Sequence, residues 1–221
     1  MTSSQDKLVL SYFDVVLRES DLRLLENAIE WINDNIISFF FEVMHRQVLK
    51  SDARVLLMAP QVTQLVKYAS MDLDSESRKA LLKDVFKTED ELELILFPLN
   101  DHDIHSMRHG GHHWSLLVLH DKSFTHFDSS PSSGHEYDAR VVAEVVSGHL
   151  FGDETTEVKK GVCLRQDNGY DCGIHVMANA EGLCRRWLHG EEIIQDYPAG
   201  LSHITMMRKN LLSLIRQMSH N

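Results

Sequence analysis

Cysteine is scarce in this chain: three in 221 residues, Cys163, Cys172 and Cys184. That number is too small, and odd, for a disulfide framework, so a reducing compartment, cytosol or nucleus, is expected. No run of about 18 apolar residues occurs, so no membrane span is expected. The opening MTSSQDKLVLSYFD also lacks the basic-then-apolar layout of a secretory signal. Positive charge is short as well: 22 Lys and Arg face 33 Asp and Glu, a formal net charge of -11. Without a basic stripe to neutralise phosphates, the composition argues against nucleic-acid binding. An acidic surface fits steering toward a partner's basic patch, or simply solubility. Prolines number only four, and no Pro/Gly/Ser-rich linker, repeat or low-complexity stretch divides the chain. One domain over residues 1–221 is therefore expected, with an N-terminal arm and short helix (1–25), a core (26–190) and a C-terminal helical segment (191–221).

What is present is an ordinary globular balance, 43% hydrophobic and 25% charged. Leu8 to Leu25 reads as an apolar arm followed by a short helix capped by Ser20 or Asp21. Residues 33–49 read as a helix capped by Asn33 or Asp34, Pro60 opens another, and Ser75 to Lys87 suits a polar surface helix. The period then changes. ELILFPL (93–99) reads as a buried strand, and WSLLVLH (114–120), the turn DKS and FTHFD (124–128) read as a hairpin. Val141 to Leu150 returns to helix, and TTEVKKGV supplies another strand. Cys172 to Leu188 is helical, stopping at His189-Gly190, and HITMMRKNLLSLIRQM is an amphipathic helix. Helices lead, strands cluster in the middle and helices close the chain, an α+β architecture with a small central, mostly antiparallel sheet.

The chemistry concentrates in Gln166-Asp-Asn-Gly-Tyr-Asp-Cys172-Gly173. A turn-rich loop leads into a helix beginning at Cys172, where the positive end of the macrodipole favours a thiolate. Gly173 leaves space for a substrate backbone beside the nucleophile. A cysteine opening a buried helix is otherwise a small apolar residue. A thiol protease also needs a base, an orienter and oxyanion donors. His113 enters the strand WSLLVL, and Asp128 ends the returning strand, so one hairpin brings the two together. Asp128 would fix the imidazole tautomer. Gln166 would add its amide to the Cys172 N–H as an oxyanion hole. Singly, His113 is one of 14 histidines, Asp128 a loop cap and Gln166 a loop residue.

Jointly, Trp31-Ile-Asn-Asp34, His113-Trp114-Ser115, Phe127-Asp128-Ser129 and Gln166-x5-Cys172-Gly173 resemble the ubiquitin-like-protein proteases of the sentrin/SUMO-specific family, in the family's order. The compact length, the arm LVLSYFDVVLRESDLRLL and the glycines before the His-Trp pair look like its deneddylase branch. The resemblance implies a papain-like fold in permuted order, His and Asp preceding Gln and Cys. It implies His113, Asp128, Cys172 and Gln166 as the catalytic set, and His113 rather than His112 as the base, because the family places the base directly before the tryptophan. It implies that Trp31 and Trp114 roof a tunnel admitting only Gly-Gly, although packing is the alternative for both. Asp34 either contacts an arginine of the modifier's tail or caps its helix. Gly173 completes the substrate-binding set. Ile32 stands where the family has leucine, a volume-conserving change. The implied substrate is the neddylation modifier, as precursor or joined to lysines of cullins and other targets. No cofactor and no metal are implied, and a monomer is expected.

Three other readings compete. His102, His105, His109 and His112 have ligand chemistry for zinc, but no cysteine accompanies them, and a solvated loop is the alternative. A non-catalytic binder would be expected to have lost its base or nucleophile, and here every chemical position is filled. SUMO or ubiquitin remains an alternative substrate, since both share the Gly-Gly terminus.

Overall fold

The computed structural model describes residues 6–86, 92–102, 111–130, 135–153, 156–193 and 200–220. The N-terminal arm is an antiparallel hairpin, β1 (Leu8–Tyr12) and β2 (Val15–Arg18), turned at Phe13 with φ 51°. It runs straight into α1 (Glu19–Glu26). The cap of α1 differs from the sequence expectation: Arg18 is the N-cap, and its backbone N–H donates to Asp21 at 2.7 Å from inside the first turn. Asn33 caps α2 (Asp34–Val43), accepting from the Ile36 N–H at 3.1 Å. The expected long helix then widens into one π-helical turn, Met44–Val48, and breaks at Lys50 and Ser51, both at positive φ.

After β3 (Val55–Leu57), Pro60 sits at the first position of α3 (Pro60–Asp72), where its missing N–H costs nothing. Asp74 caps α4 (Ser75–Val85). Next come β4 (Leu94–Asn100), β5 (Trp114–His120) and β6 (Ser123–Phe127). The chain closes with α5 (Glu136–Phe151), β7 (Val158–Lys160), α6 (Cys172–Leu188) and α7 (Leu201–Ser219).

The five strands β3-β4-β5-β6-β7 lie in sequence order. The two central pairings are antiparallel and the two outer ones parallel, so the sheet is mixed. Pro98 is tolerated in a central strand because β3 pairs only with Leu94 to Leu96 and has ended before it. The turn between β5 and β6 is the two residues Asp121-Lys122, both at positive φ, the twist that a two-residue hairpin requires.

Strand alternation divides the core. Leu94, Leu96, Leu116 and Val118 face α2, α6 and α7 through Ile36, Phe39, Met177 and Leu211. Ile95, Phe97, Leu117 and Leu119 face α3 to α5 through Val66, Leu82 and Val142. Because both faces are covered, β4 and β5 read as continuous apolar runs rather than as alternating ones. Each fully buried leucine or phenylalanine here contributes about 1.5–3 kcal/mol.

Candidate active site

The hairpin carries the first two groups. Leu116 pairs with Phe127, so His113 and Asp128 lie just beyond the last paired residues, at the open end. There the His113 Nε2 meets Asp128 Oδ1 at 2.7 Å. Both side chains are nearly enclosed. The backbone of His113 is held from behind by the end of β4. Its N–H donates to Asp101 Oδ1 at 3.0 Å, and its carbonyl accepts from Asn100 Nδ2 at 3.0 Å. A Cβ on Gly111 would collide with the Asn100 and Asp101 side chains, so this approach needs glycine.

Cys172 is the first residue of α6 and is 2% exposed. Its thiol faces the His113 ring. Burial alone would lower the His113 pKa. The hydrogen bonds to Asp128 and Cys172, with the charges on both, outweigh it and lift the value to about 9. Asp128 satisfies Nε2, which leaves Nδ1 for the thiol. Burial raises the thiols of Cys163, to about 11, and Cys184, to about 12, so both stay protonated.

The loop before Cys172 is fixed at several points. Asn168 Oδ1 accepts from the Tyr170 and Asp171 N–H groups, both at 3.0 Å. Gln166 Oε1 accepts from Ser129 Oγ at 2.7 Å, and its Nε2 donates to the Asn168 carbonyl at 2.7 Å. One amide N–H of Gln166 is therefore used within the loop, and the second has no partner among the described residues. Arg208 of α7 then ties this loop to the opposite wall. Its Nε and Nη2 reach Asp171 Oδ1 at 3.0 and 2.9 Å, Nη2 reaches the Glu30 carbonyl at 2.6 Å, and Nη1 reaches the Leu24 carbonyl at 2.9 Å. Glu30 precedes Trp31 and Asp171 precedes Cys172, so one guanidinium, 8% exposed, sets both walls.

Between those walls is a cleft of about 570 Å³, lined by Trp31, Asp34, Leu65, Tyr68, Trp114 and Cys172 among others. Trp31 is 43% exposed, donates Nε1–H to the Gly169 carbonyl at 2.8 Å, and meets the exposed His112 edge-on at 5.6 Å between centroids. Trp114 is half-buried and donates Nε1–H to the Ile32 carbonyl at 2.9 Å. Asp34 is not the cap of α2, which is Asn33. It borders the cleft and accepts from Gln61 Nε2 at 2.9 Å.

Gly173 needs a correction. The expected free space beside it is filled by the protein itself: Gly173 is buried, and a Cβ there would lie 2.9 Å from Ile32 Cβ and 3.5 Å from Trp114 Cδ1. Its role is to let α6 close against the tryptophan strand.

Of the four histidines considered for zinc, His105 and His109 lie outside the described residues. Among the described residues no three His, Cys, Asp or Glu side chains gather as a metal site. Sequence reasoning missed Asn100, Asp101 and Arg208, whose partners are mostly backbone groups. It also missed His135, whose ring lies 4.6 Å from that of His113.

Comparison with known proteins gives a family and a fold. A family model described as "Ulp1 protease family, C-terminal catalytic domain" matches residues 30–220. "Sentrin-specific protease 8" of Homo sapiens is 36% identical over 187 residues, covering 82% of this chain and 84% of the relative. "NEDD8-specific protease 1" of Arabidopsis thaliana is 28% identical over 229 residues, covering 98% and 96%. Among solved structures, the C-terminal Ulp1 protease domain in complex with Smt3, the yeast ortholog of SUMO, covers all of this chain at TM-score 0.63 and 19% identity, a likeness of fold.

Proposed function

The chain belongs to the Ulp1 protease family of cysteine peptidases, and we propose that within it this protein is a deneddylase. It would cleave after the C-terminal Gly-Gly of NEDD8, both in the precursor and in conjugates with lysines, cullins included. The observation that carries the chemistry is the 2.7 Å contact of His113 with Asp128, its ring turned to a thiol at a helix N-terminus. Relatives named for NEDD8 carry the choice of modifier.

In this reading the modifier's tail lies in the cleft under Trp31 and Trp114, where flat rings exclude side chains. His113, oriented by Asp128, holds the proton taken from Cys172. The sulfur attacks the terminal glycine carbonyl, and the oxyanion is held by the Cys172 N–H and the second amide N–H of Gln166. As the C–N bond breaks, His113 returns the proton to the leaving amine and a thioester remains. Water, deprotonated by His113, then attacks the thioester, releasing the modifier's carboxylate and restoring the thiol.

The test is capture by C-terminal vinyl-sulfone derivatives of NEDD8, SUMO and ubiquitin, with parent and Cys172→Ala protein. The parent should capture the NEDD8 probe, and Cys172→Ala none. Preferential capture of SUMO or ubiquitin would replace the substrate. Failure of the folded parent to capture any probe would leave a binding protein.

A further inference from the structure

Behind the His113 ring is a buried group of polar side chains that the reaction above does not use. His135, the N-cap residue of α5, is 2% exposed, and its carbonyl accepts from the Ala139 N–H at 3.0 Å, so its backbone is fixed by the helix. Its ring stands at 78° to that of His113, with centroids 4.6 Å apart. His135 Nδ1 lies 2.9 Å from Ser115 Oγ, and the same hydroxyl lies 2.9 Å from His126 Nε2. Ser115, the second residue of β5, follows His113 by two residues along extended chain, so the two side chains leave on the same side. His135 Nε2 is buried with no hydrogen-bond partner among the described residues. A buried nitrogen left unpaired costs on the order of 1–3 kcal/mol.

We infer that His135 is a positioning residue for His113: tied to Ser115, its ring packs edge-to-plane against the His113 imidazole and fixes the plane in which one nitrogen meets Asp128 and the other Cys172. The inference rests on the reading of His113 and Cys172 as a reacting pair. The contacts with Asp128 and Cys172 hold the two ring nitrogens but leave the imidazole free to tilt about the line between them, and a ring against its side removes that freedom. The charges agree. His135 is faced by His113, Asp101, Asp128 and His126; burial and then the His113 charge hold it down at about 4. His126, faced also by Glu136 and Lys160, is lowered chiefly by burial. The supporting ring therefore stays uncharged while His113 carries its proton, and no second cation competes with it.

Misplacing a reacting group by about 1 Å costs on the order of 10²-fold in rate. His135→Ala, which removes the ring, should thus lower kcat about 10- to 100-fold with KM nearly unchanged. His135→Phe keeps a flat uncharged ring and should recover most of that loss. Ser115→Ala leaves the ring and cuts its tether, so it should fall between the two, and it serves if His135→Ala does not fold. Two readouts would not move for a merely structural residue in a folded variant. One is the low-field proton resonance of the His113–Asp128 hydrogen bond, expected to broaden in His135→Ala and to persist in His135→Phe. The other is the iodoacetamide rate of Cys172 relative to a His113→Ala control. If the parent's alkylation is indifferent to His113→Ala, the reading of the pair itself fails. If it depends on His113, but His135→Ala keeps the parent's kcat and resonance, the positioning role alone is overturned. Equal losses in the Ala and Phe variants, both folded, would also overturn it.

Discussion

Replacing Arg208 by methionine is the most demanding test of how the cleft is built. Methionine keeps an apolar stem of similar length but removes every donor. In the parent those donors reach the Asp171 carboxylate and the backbone carbonyls of Leu24, Glu30 and Tyr170, the last at 3.3 Å. The guanidinium is 8% exposed, so water cannot simply take its place. Removing one partner of a buried ion pair typically costs about 3–5 kcal/mol, because the other charge and the orphaned acceptors stay desolvated. For a chain of this size each kcal/mol moves the midpoint by about 2–4 °C, so Arg208→Met should lower Tm by about 6–20 °C. Calorimetry reads that shift. A double-mutant cycle with Asp171→Asn isolates the pair and should give a coupling of about 1–3 kcal/mol. Below the variant's midpoint, kcat should also fall, because the residue before Cys172 and the residue before Trp31 have lost their common anchor. A folded Arg208→Met protein within 2 °C of the parent's midpoint, roughly the effect of 1 kcal/mol or less, would refute the clamp.

Two further perturbations follow from the geometry. Gly173→Ala places a methyl 2.9 Å from Ile32 Cβ, a buried atom close to its own backbone, so the N-terminus of α6 must shift; about 1–3 kcal/mol of stability should be lost, with a larger fractional loss of probe capture, and unchanged capture would contradict the packing. Asp128→Asn removes the carboxylate that raises His113. Since the His113 pKa is raised from 6.5 to about 9, its charged form stabilises the fold fully below about pH 6.5, and that contribution is lost as pH rises through about 9. The parent's kcat/KM should accordingly fall on its alkaline side near pH 9, and in Asp128→Asn that limb should move to lower pH; a limb that stays in place would refute the assignment.

The sequence was most legible where structure is local. The two apolar runs are a hairpin, Trp114–His120 and Ser123–Phe127, the second strand one residue earlier than expected, and its open end brings His113 to Asp128. The helix Cys172–Leu188 has the expected bounds because a turn-rich loop and a His-Gly stop frame it. The N-terminal hairpin escaped because it turns on Phe13-Asp14, with no glycine to announce it. The strand Val55–Leu57 is too short for alternation to register, and it supplies one of the two parallel edges. Arg208 reads as one more cation on an amphipathic helix, since carbonyl acceptors leave no mark in sequence. His135 is one histidine among 14, distinguished only by what stands beside it. Residues 103–110, which hold His105 and His109 of the four histidines considered for zinc, lie outside the described residues.

The separation of the site's parts along the chain also sets an order of assembly. His113 and Asp128 are 15 residues apart on one hairpin, a unit that closes in about 1–10 μs. The guanidinium that pins Asp171 comes from 37 residues beyond it, and its anchor at Leu24 lies 184 residues away. Closures of that span come late, after loop entropy has been offset by other contacts. The base and its orienter should therefore pair before the nucleophile is aimed at them. Pulse alkylation of Cys172 during refolding, set against the appearance of the His113–Asp128 resonance, reads that order directly.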